Sequence, residues 1–240
     1  MREQGATVTD MNAGYPADCP SLPAYLLITS GSTHGICDNA DPEAHMLDGP
    51  SIFSSISDAG RQWRVFAESM DTPCRRSDTS DDRYLVRHTA APYYTSELDR
   101  CQRWQVPLGT PDAGALSEAI DAGLPAFSLV VPDRCNDMHG GAPCTGERVA
   151  VGDLWLQEWL PRLLAGPDYA SGSLLVVITW DEAHSRQGNQ IPTLVLHPSL
   201  AGTEITEPRD HCSTLRTVTD RLGLDPLGCA ADVTPLVPPG

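Results

Sequence analysis

The side chains best suited to chemistry stand where apolar runs break off. Ser173 to Thr179 reads SLLVVIT and ends in Trp180-Asp181-Glu182-Ala183-His184. Adjacent carboxylates repel each other and are tolerated when a cation, a proton or a hydrogen-bonding shell stabilises them. Asp181 and Glu182 therefore point to a metal site or to acid/base work. Ala126 to Val131 leads into Pro132-Asp133-Arg134-Cys135-Asn136-Asp137-Met138-His139-Gly140-Gly141, and Pro192 to Leu196 runs on to Asp210-His211. Asp, Glu and His at successive strand ends are the ligand set of a hard or borderline divalent metal ion. Each group also has a plainer reading. Asp137 and His139 suit a turn inside a Cys135 to Cys144 loop, Asp210-His211 suits the start of a helix, and His34, His45 and His184 read as surface histidines.

Positioning such groups requires strands whose ends converge. The unalternating run 173–179 predicts a strand buried on both faces, as in a helix-covered parallel sheet, whose ligands bind beyond the carboxyl ends. Trp63 to Ala67, Ala126 to Val131 and Pro192 to Leu196 are further strand candidates, each short, apolar and bounded by turn residues. Helical spacing appears at Leu22, Tyr25 and Leu26 before Gly31, and at Ile52, Phe53 and Ile56 before Gly60. It recurs from Leu116 to Ala122, closed by Gly123, and from Ser213 to Leu222 before Gly223. From Asp153 to Leu164 one stripe holds Leu156, Trp159, Leu160 and Leu163, with Asp153 as cap and Pro161 expected to bend or split the helix. Alternating strands and helices predict an α/β/α sandwich with a mostly parallel central sheet. Irregular stretches at 32–50, 68–114, 132–150 and 198–211 are long enough to need function or tethering.

At 240 residues, one domain is the default. Acidic residues outnumber basic ones by 32 to 16, giving a net charge of −16. That field repels phosphate backbones and argues against nucleic acid. No apolar run reaches the roughly 18 residues of a membrane-spanning helix, and Met1-Arg2-Glu3-Gln4 lacks the pattern of a signal peptide. The core accounts for the apolar stripes, so no partner protein is implied. Eight cysteines fall into sequential close pairs, Cys19 with Cys37, Cys74 with Cys101, Cys135 with Cys144 and Cys212 with Cys229. Without CxxC spacing or a zinc-finger pattern, local disulfides in an extracytoplasmic or secreted protein are the stronger reading.

Several segments resemble one family in the same order. Cys19-Pro20-Ser21-Leu22-Pro23-Ala24-Tyr25-Leu26, continuing to Thr29-Ser30-Gly31-Ser32-Thr33-His34-Gly35-Ile36, is similar to the HPSLPNYLALTSGST segment of bacterial phosphoesterases. These are relatives of phosphatidylcholine-type phospholipases C and of a metal-dependent acid phosphatase, within the alkaline-phosphatase-like superfamily. The likeness continues through Ser51-Ile52-Phe53 with Trp63, Arg87-His88-Thr89-Ala90-Ala91-Pro92-Tyr93-Tyr94, Val131-Pro132 and Asn136-Asp137-Met138-His139. It ends with Gly152-Asp153-Leu154-Trp155-Leu156, Thr179-Trp180-Asp181-Glu182 and Asp210-His211-Cys212-Ser213-Thr214-Leu215-Arg216-Thr217.

The resemblance implies a hydroxyl nucleophile beside a divalent metal ion held by carboxylates, with histidines binding phosphoryl oxygens or protonating the leaving group. By position, Asp181 and Glu182 match the metal-binding pair, Asp137, His139 and His211 match polar residues of the following loops, and His88 matches a histidine before Asn-Pro. The nucleophile's position falls on Asp18, a carboxylate able to attack phosphorus. Ser21 would occupy it only after a register shift. The family's first strand, with its Glu-Asn metal ligands, is expected before Met1, so the chain reads as a single phosphoesterase-like domain truncated at its amino terminus. The expected activity is metal-dependent hydrolysis of a small-molecule or lipid-headgroup phosphoester, either a monoester or a headgroup diester. The alternative is a catalytically silent secreted relative that binds a phosphorylated or polyol ligand.

Overall fold

The computed structural model describes residues 2–183 and 188–239. Met1 and His184 lie outside them. In chain order the main elements are β1 (Gly5–Val8), α1 (Ser21–Ser30), α2 (Ile52–Asp58), β2 (Trp63–Ala67), α3 (Leu98–Trp104), β3 (Gln105–Pro107) and α4 (Ala115–Ala122). There follow β4 (Phe127–Val131), α5 (Arg148–Leu164), α6 (Pro167–Ala170), β5 (Val176–Thr179), β6 (Thr193–Leu196), β7 (Thr203–Ile205) and α7 (His211–Leu222). The chain is α/β, as its alternation predicts, and it divides into two compact units.

The first unit comprises residues 1–39, 50–55 and 171–240. Its sheet has the order β5-β6-β1-β7, with β1 parallel to β7 and antiparallel to β6, and β5 antiparallel to β6. Ala6, Val8, Val195 and Ile205 from the sheet form one apolar core with Leu27 of α1 and Cys212 of α7. Helix α1 ends at Gly31, whose left-handed backbone (φ 71°) lets its N–H bond the Leu27 carbonyl. A side chain at Gly31 would also collide with the Leu227 carbonyl, so both conformation and space demand glycine there. Helix α7 starts two residues earlier than its apolar spacing suggests, because the Asp210 carboxylate accepts the Ser213 N–H at 2.9 Å and caps it.

The second unit comprises residues 40–49 and 56–170. Its three strands, in the order β3-β2-β4, are all parallel. Phe66, Leu108, Leu116, Ala119, Ile120 and Trp159 are buried together where α4 and α5 cover this sheet. Trp63 is fully buried, donates its indole N–H to Glu97 at 3.1 Å and meets Trp104 edge to face. Its polar tip is thus satisfied while its rings fill the core.

Two expectations change. The run 173–179 supplies only the strand Val176–Thr179, whose four residues are half-buried and, among the described strands, pair with β6 alone, on one side and antiparallel. Consecutive apolar residues here mark a sheet-edge strand rather than a central parallel one. Helix α5 begins at Arg148, where Glu147 accepts the N–H groups of Val149 and Ala150, so Asp153 lies inside the helix and accepts from Gln157. It runs through Pro161 unbroken: proline forfeits one main-chain hydrogen bond, and packing of Trp159 and Leu160 in the core offsets it.

All four sequential cysteine pairs are disulfides, two in each unit. They suit an oxidising, extracytoplasmic environment. No described helix is long and apolar enough to cross a membrane.

Candidate active site

Strand β5 delivers Asp181 and Glu182 two and three residues past its last residue. Glu182 is held from two sides in the first unit. The Tyr15 hydroxyl donates to Oε2 at 3.1 Å and the Ser21 hydroxyl donates to Oε1 at 3.2 Å. Ser21 is the first residue of α1, where the positive end of the helix dipole favours negative charge. It is buried, and its hydroxyl also lies close enough to Asp181 to favour the ionised form of that carboxyl. Burial, then repulsion from Glu182, outweighs that help and raises the Asp181 pKa to about 7. Tyr15 responds in the same sense. Burial, then the Glu182 and Asp181 charges, pushes its phenol well above the usual range, so it remains a donor.

Backbone geometry explains how these groups meet. Gly14 adopts φ 79° beside Asp210, where an added Cβ would stand 3.1 Å from the Asp210 Cβ. Asn189 is buried, donates to the Tyr15 carbonyl at 3.1 Å and accepts the Ala183 N–H at 3.0 Å. It thereby ties the segment after Glu182 to the segment carrying Tyr15.

His211 opens α7 and is fully buried. Its Nε2 lies 2.8 Å from the Asp181 carbonyl, an acceptor only, so Nε2 carries the proton. Nδ1 is consequently an acceptor, and it is buried without a hydrogen-bond partner among the described residues. Burial lowers the pKa of His211 to about 4, which keeps the ring neutral. With its one proton committed to a carbonyl, His211 is built to accept rather than to donate.

His88, Asp137 and His139 come together in the second unit. His88 is buried, with Nδ1 3.6 Å from Asp137 Oδ2, and Asp137 Oδ1 accepts the His139 N–H at 2.7 Å. Burial, followed by the charges of Arg87, His139 and Arg134, lowers the His88 pKa to about 3. His139 itself is exposed and donates from Nδ1 to the Gly140 carbonyl at 3.1 Å. Asp133 shapes this loop: its buried carboxylate accepts from Arg83, Ser69 and the Cys135 N–H, while the Cys135–Cys144 disulfide closes the turn.

The structure thus gathers the sequence candidates in two groups, Asp181, Glu182 and His211 in one unit and His88, Asp137 and His139 in the other. Asp18 joins neither. It is exposed in the turn before α1, and the hydroxyl that reaches the carboxylate pair is Ser21. Ser21 enters the sequence reading only through a register shift, and Tyr15 and Asn189 are missed by it. A serine at the first position of a predicted helix is the available signal for the first. Among the described residues, no three His, Cys, Asp or Glu side chains converge as a metal cage. Asp181 and Glu182 offer two carboxylates that no Lys or Arg pairs with among the described residues.

A family model described as the Phosphoesterase family matches residues 3–225. A protein named phosphatidylinositol-3-phosphatase from Mycobacterium tuberculosis is 30% identical over 224 residues, covering 90% of this chain and 67% of that protein. Crystal structures of Ps i-CgsB, alone and in complex with k-i-k-neocarrahexaose, superpose with TM-scores of 0.56 and 0.53 at 12% identity. They cover 97% and 93% of this chain and 67% and 65% of theirs, a likeness of fold alone. The chain spans about two thirds of the length of each of these relatives.

Proposed function

The chain belongs to the Phosphoesterase family, and on that premise we propose that it hydrolyses phosphomonoesters with Ser21 as the nucleophile. The observation that carries this reading is the Ser21 hydroxyl, buried at the start of α1 and donating to Glu182. A carboxylate that already holds the hydroxyl proton can accept it as oxygen attacks phosphorus. The Ser21 Oγ–P bond forms, the P–O bond to the alcohol breaks, and the alcohol leaves with a proton. Water then cleaves the phosphoseryl ester and frees phosphate. Tyr15 fixes the second oxygen of Glu182, which keeps the first oriented on Ser21.

Asp181 and Glu182 are the residues that would hold a divalent metal ion. The fit rests on oxygen donors of the hard-cation type and on an uncompensated carboxylate pair. Bound there, the ion would supply positive charge against the phosphoryl oxygens. Asp137, His139 and His88 form a separate polar group within the second unit, in which His139 alone of the two histidines is exposed. The name of the mycobacterial relative favours a monoester on a lipid headgroup over a headgroup diester.

The test is turnover of p-nitrophenyl phosphate against bis-p-nitrophenyl phosphate, with and without divalent metal, in wild type, Ser21→Ala and Asp181→Ala. The proposal expects metal-dependent turnover of the monoester that both substitutions abolish. Ser21→Ala turnover equal to wild type would remove Ser21 from the chemistry. No turnover by wild type under any metal would favour the silent, ligand-binding alternative.

A further inference from the structure

In the first unit, the main chain carrying Tyr15 and the main chain following Glu182 meet at the side chain of Asn189, which is 2% exposed. Its Nδ2 donates to the Tyr15 carbonyl at 3.1 Å, and its Oδ1 accepts the Ala183 N–H at 3.0 Å. A carbonyl only accepts and an N–H only donates, so these partners fix the orientation of the amide. The Asn189 backbone is left-handed, with φ 61°, and its own carbonyl accepts the Ala13 N–H at 2.9 Å. Glycine, asparagine and aspartate enter that backbone region at the least cost. Glycine has no amide and an ionised aspartate has no donor, so of the three only asparagine makes both contacts.

Together with the Tyr15 hydroxyl, these bonds close a ring. It runs from that hydroxyl to Glu182 Oε2, along the main chain to Ala183, through the Asn189 amide to the Tyr15 carbonyl, and back through Tyr15. A hydroxyl orients a carboxylate only as well as its own main chain is held, and Asn189 holds the main chain at both ends of this contact. We propose that Asn189 is a positioning residue for phosphoryl transfer, a role that rests on the reading of Ser21 as nucleophile and Glu182 as its base. By closing the ring it keeps Glu182 Oε1 on the Ser21 hydroxyl, 3.2 Å away. Misplacing a reacting group by about 1 Å costs on the order of 100-fold in rate. Opening the ring should therefore slow attack on phosphorus, since the Asn189 amide is committed to main-chain groups rather than to substrate.

Turnover of p-nitrophenyl phosphate at saturating divalent metal compares wild type with Asn189→Asp and Asn189→Gly on the whole chain, folding being checked by circular dichroism. Asn189→Asp keeps the shape and the acceptor but loses the donor, whereas Asn189→Gly keeps the backbone and loses both contacts without adding charge. In each, kcat should fall on the order of 10- to 100-fold with KM within about threefold of wild type. In a Tyr15→Phe background, where the ring is already open, the same substitutions should cost less than about threefold, an effect that a merely structural role would not produce. An equal loss in both backgrounds, a loss confined to KM, or kcat within about twofold of wild type in both variants overturns the proposal. Ser21→Ala separates the two readings: full turnover there removes the nucleophile, whereas loss there with full kcat in both Asn189 variants removes only the role of Asn189. Hydrogen exchange on wild type needs neither turnover nor a variant. The Ala183 amide should be protected, and exchange at the rate of a free peptide would overturn the proposal.

Discussion

Tyr15→Phe isolates the contact that orients Glu182. The substitution keeps the buried ring and removes only the hydroxyl that donates to Oε2 at 3.1 Å. A hydrogen bond to a charged acceptor contributes about 1.5–3 kcal/mol, and the partly buried setting of Glu182 argues for about 2 kcal/mol. With a urea m-value of roughly 2.5 kcal/mol/M for a chain of this size, the unfolding midpoint should fall by about 0.8 M. The assay is urea unfolding followed by circular dichroism, with chelator present so that no metal ion competes for the carboxylate. A double-mutant cycle with Glu182→Gln assigns the loss to the pair, and a coupling of about 1–2 kcal/mol is expected. Turnover should drop in parallel, because Glu182 loses its fixed orientation toward Ser21. A midpoint shift that persists in full in the Glu182→Gln background would refute the reasoning, since the hydroxyl would then be acting on something else.

The disulfides should differ by loop length. Opening Cys74–Cys101, with a separation of 27 residues, should cost about 3.5 kcal/mol, against about 2.6 kcal/mol for Cys135–Cys144 with 9, measured by urea unfolding of the paired Cys→Ser variants. Gly31→Ala should destabilise by more than the roughly 1 kcal/mol of a left-handed backbone alone, because the added methyl meets the Leu227 carbonyl; thermal unfolding reads this directly. Near pH 5.5 the metal-free protein should take up about one net proton on unfolding. His88 and His211 are neutral when folded and protonate when released, giving two, while the folded Asp181 carboxyl already carries one proton that it loses. Stability should therefore fall by about 1.4 kcal/mol per unit as pH drops from about 6 to about 5. Stability that rises over that window would contradict these environments.

Strands with strong local signatures are legible in the amino-acid sequence alone. Trp63–Ala67 coincides with β2, and Phe127–Val131 and Thr193–Leu196 differ from their predicted runs by one residue each. The strands that local pattern misses have weak signatures: β1 starts Gly-Ala, β3 ends in proline, and β7 is three residues long with two exposed. Their register comes from neighbours distant in sequence, as Thr7 opposite Leu194 shows. The candidate site follows the same division. Asp181 and Glu182 are visible because adjacent acids after an apolar run are unusual in themselves. Ser21 is visible only after a register shift and Tyr15 and Asn189 not at all, because their contacts span 161, 167 and 174 residues. Asp18 illustrates the converse. Motif spacing places it at the nucleophile, but the turn before α1 leaves it in solvent while the next helix buries the serine three residues on.

The identity of the nucleophile is open to direct observation. Wild type mixed with p-nitrophenyl phosphate and divalent metal, quenched in acid and digested, should yield a phosphoserine at Ser21 by peptide mass spectrometry, stable to hydroxylamine and absent from Ser21→Ala. An acyl phosphate on Asp18, labile to hydroxylamine and retained in Ser21→Ala, would contradict the account.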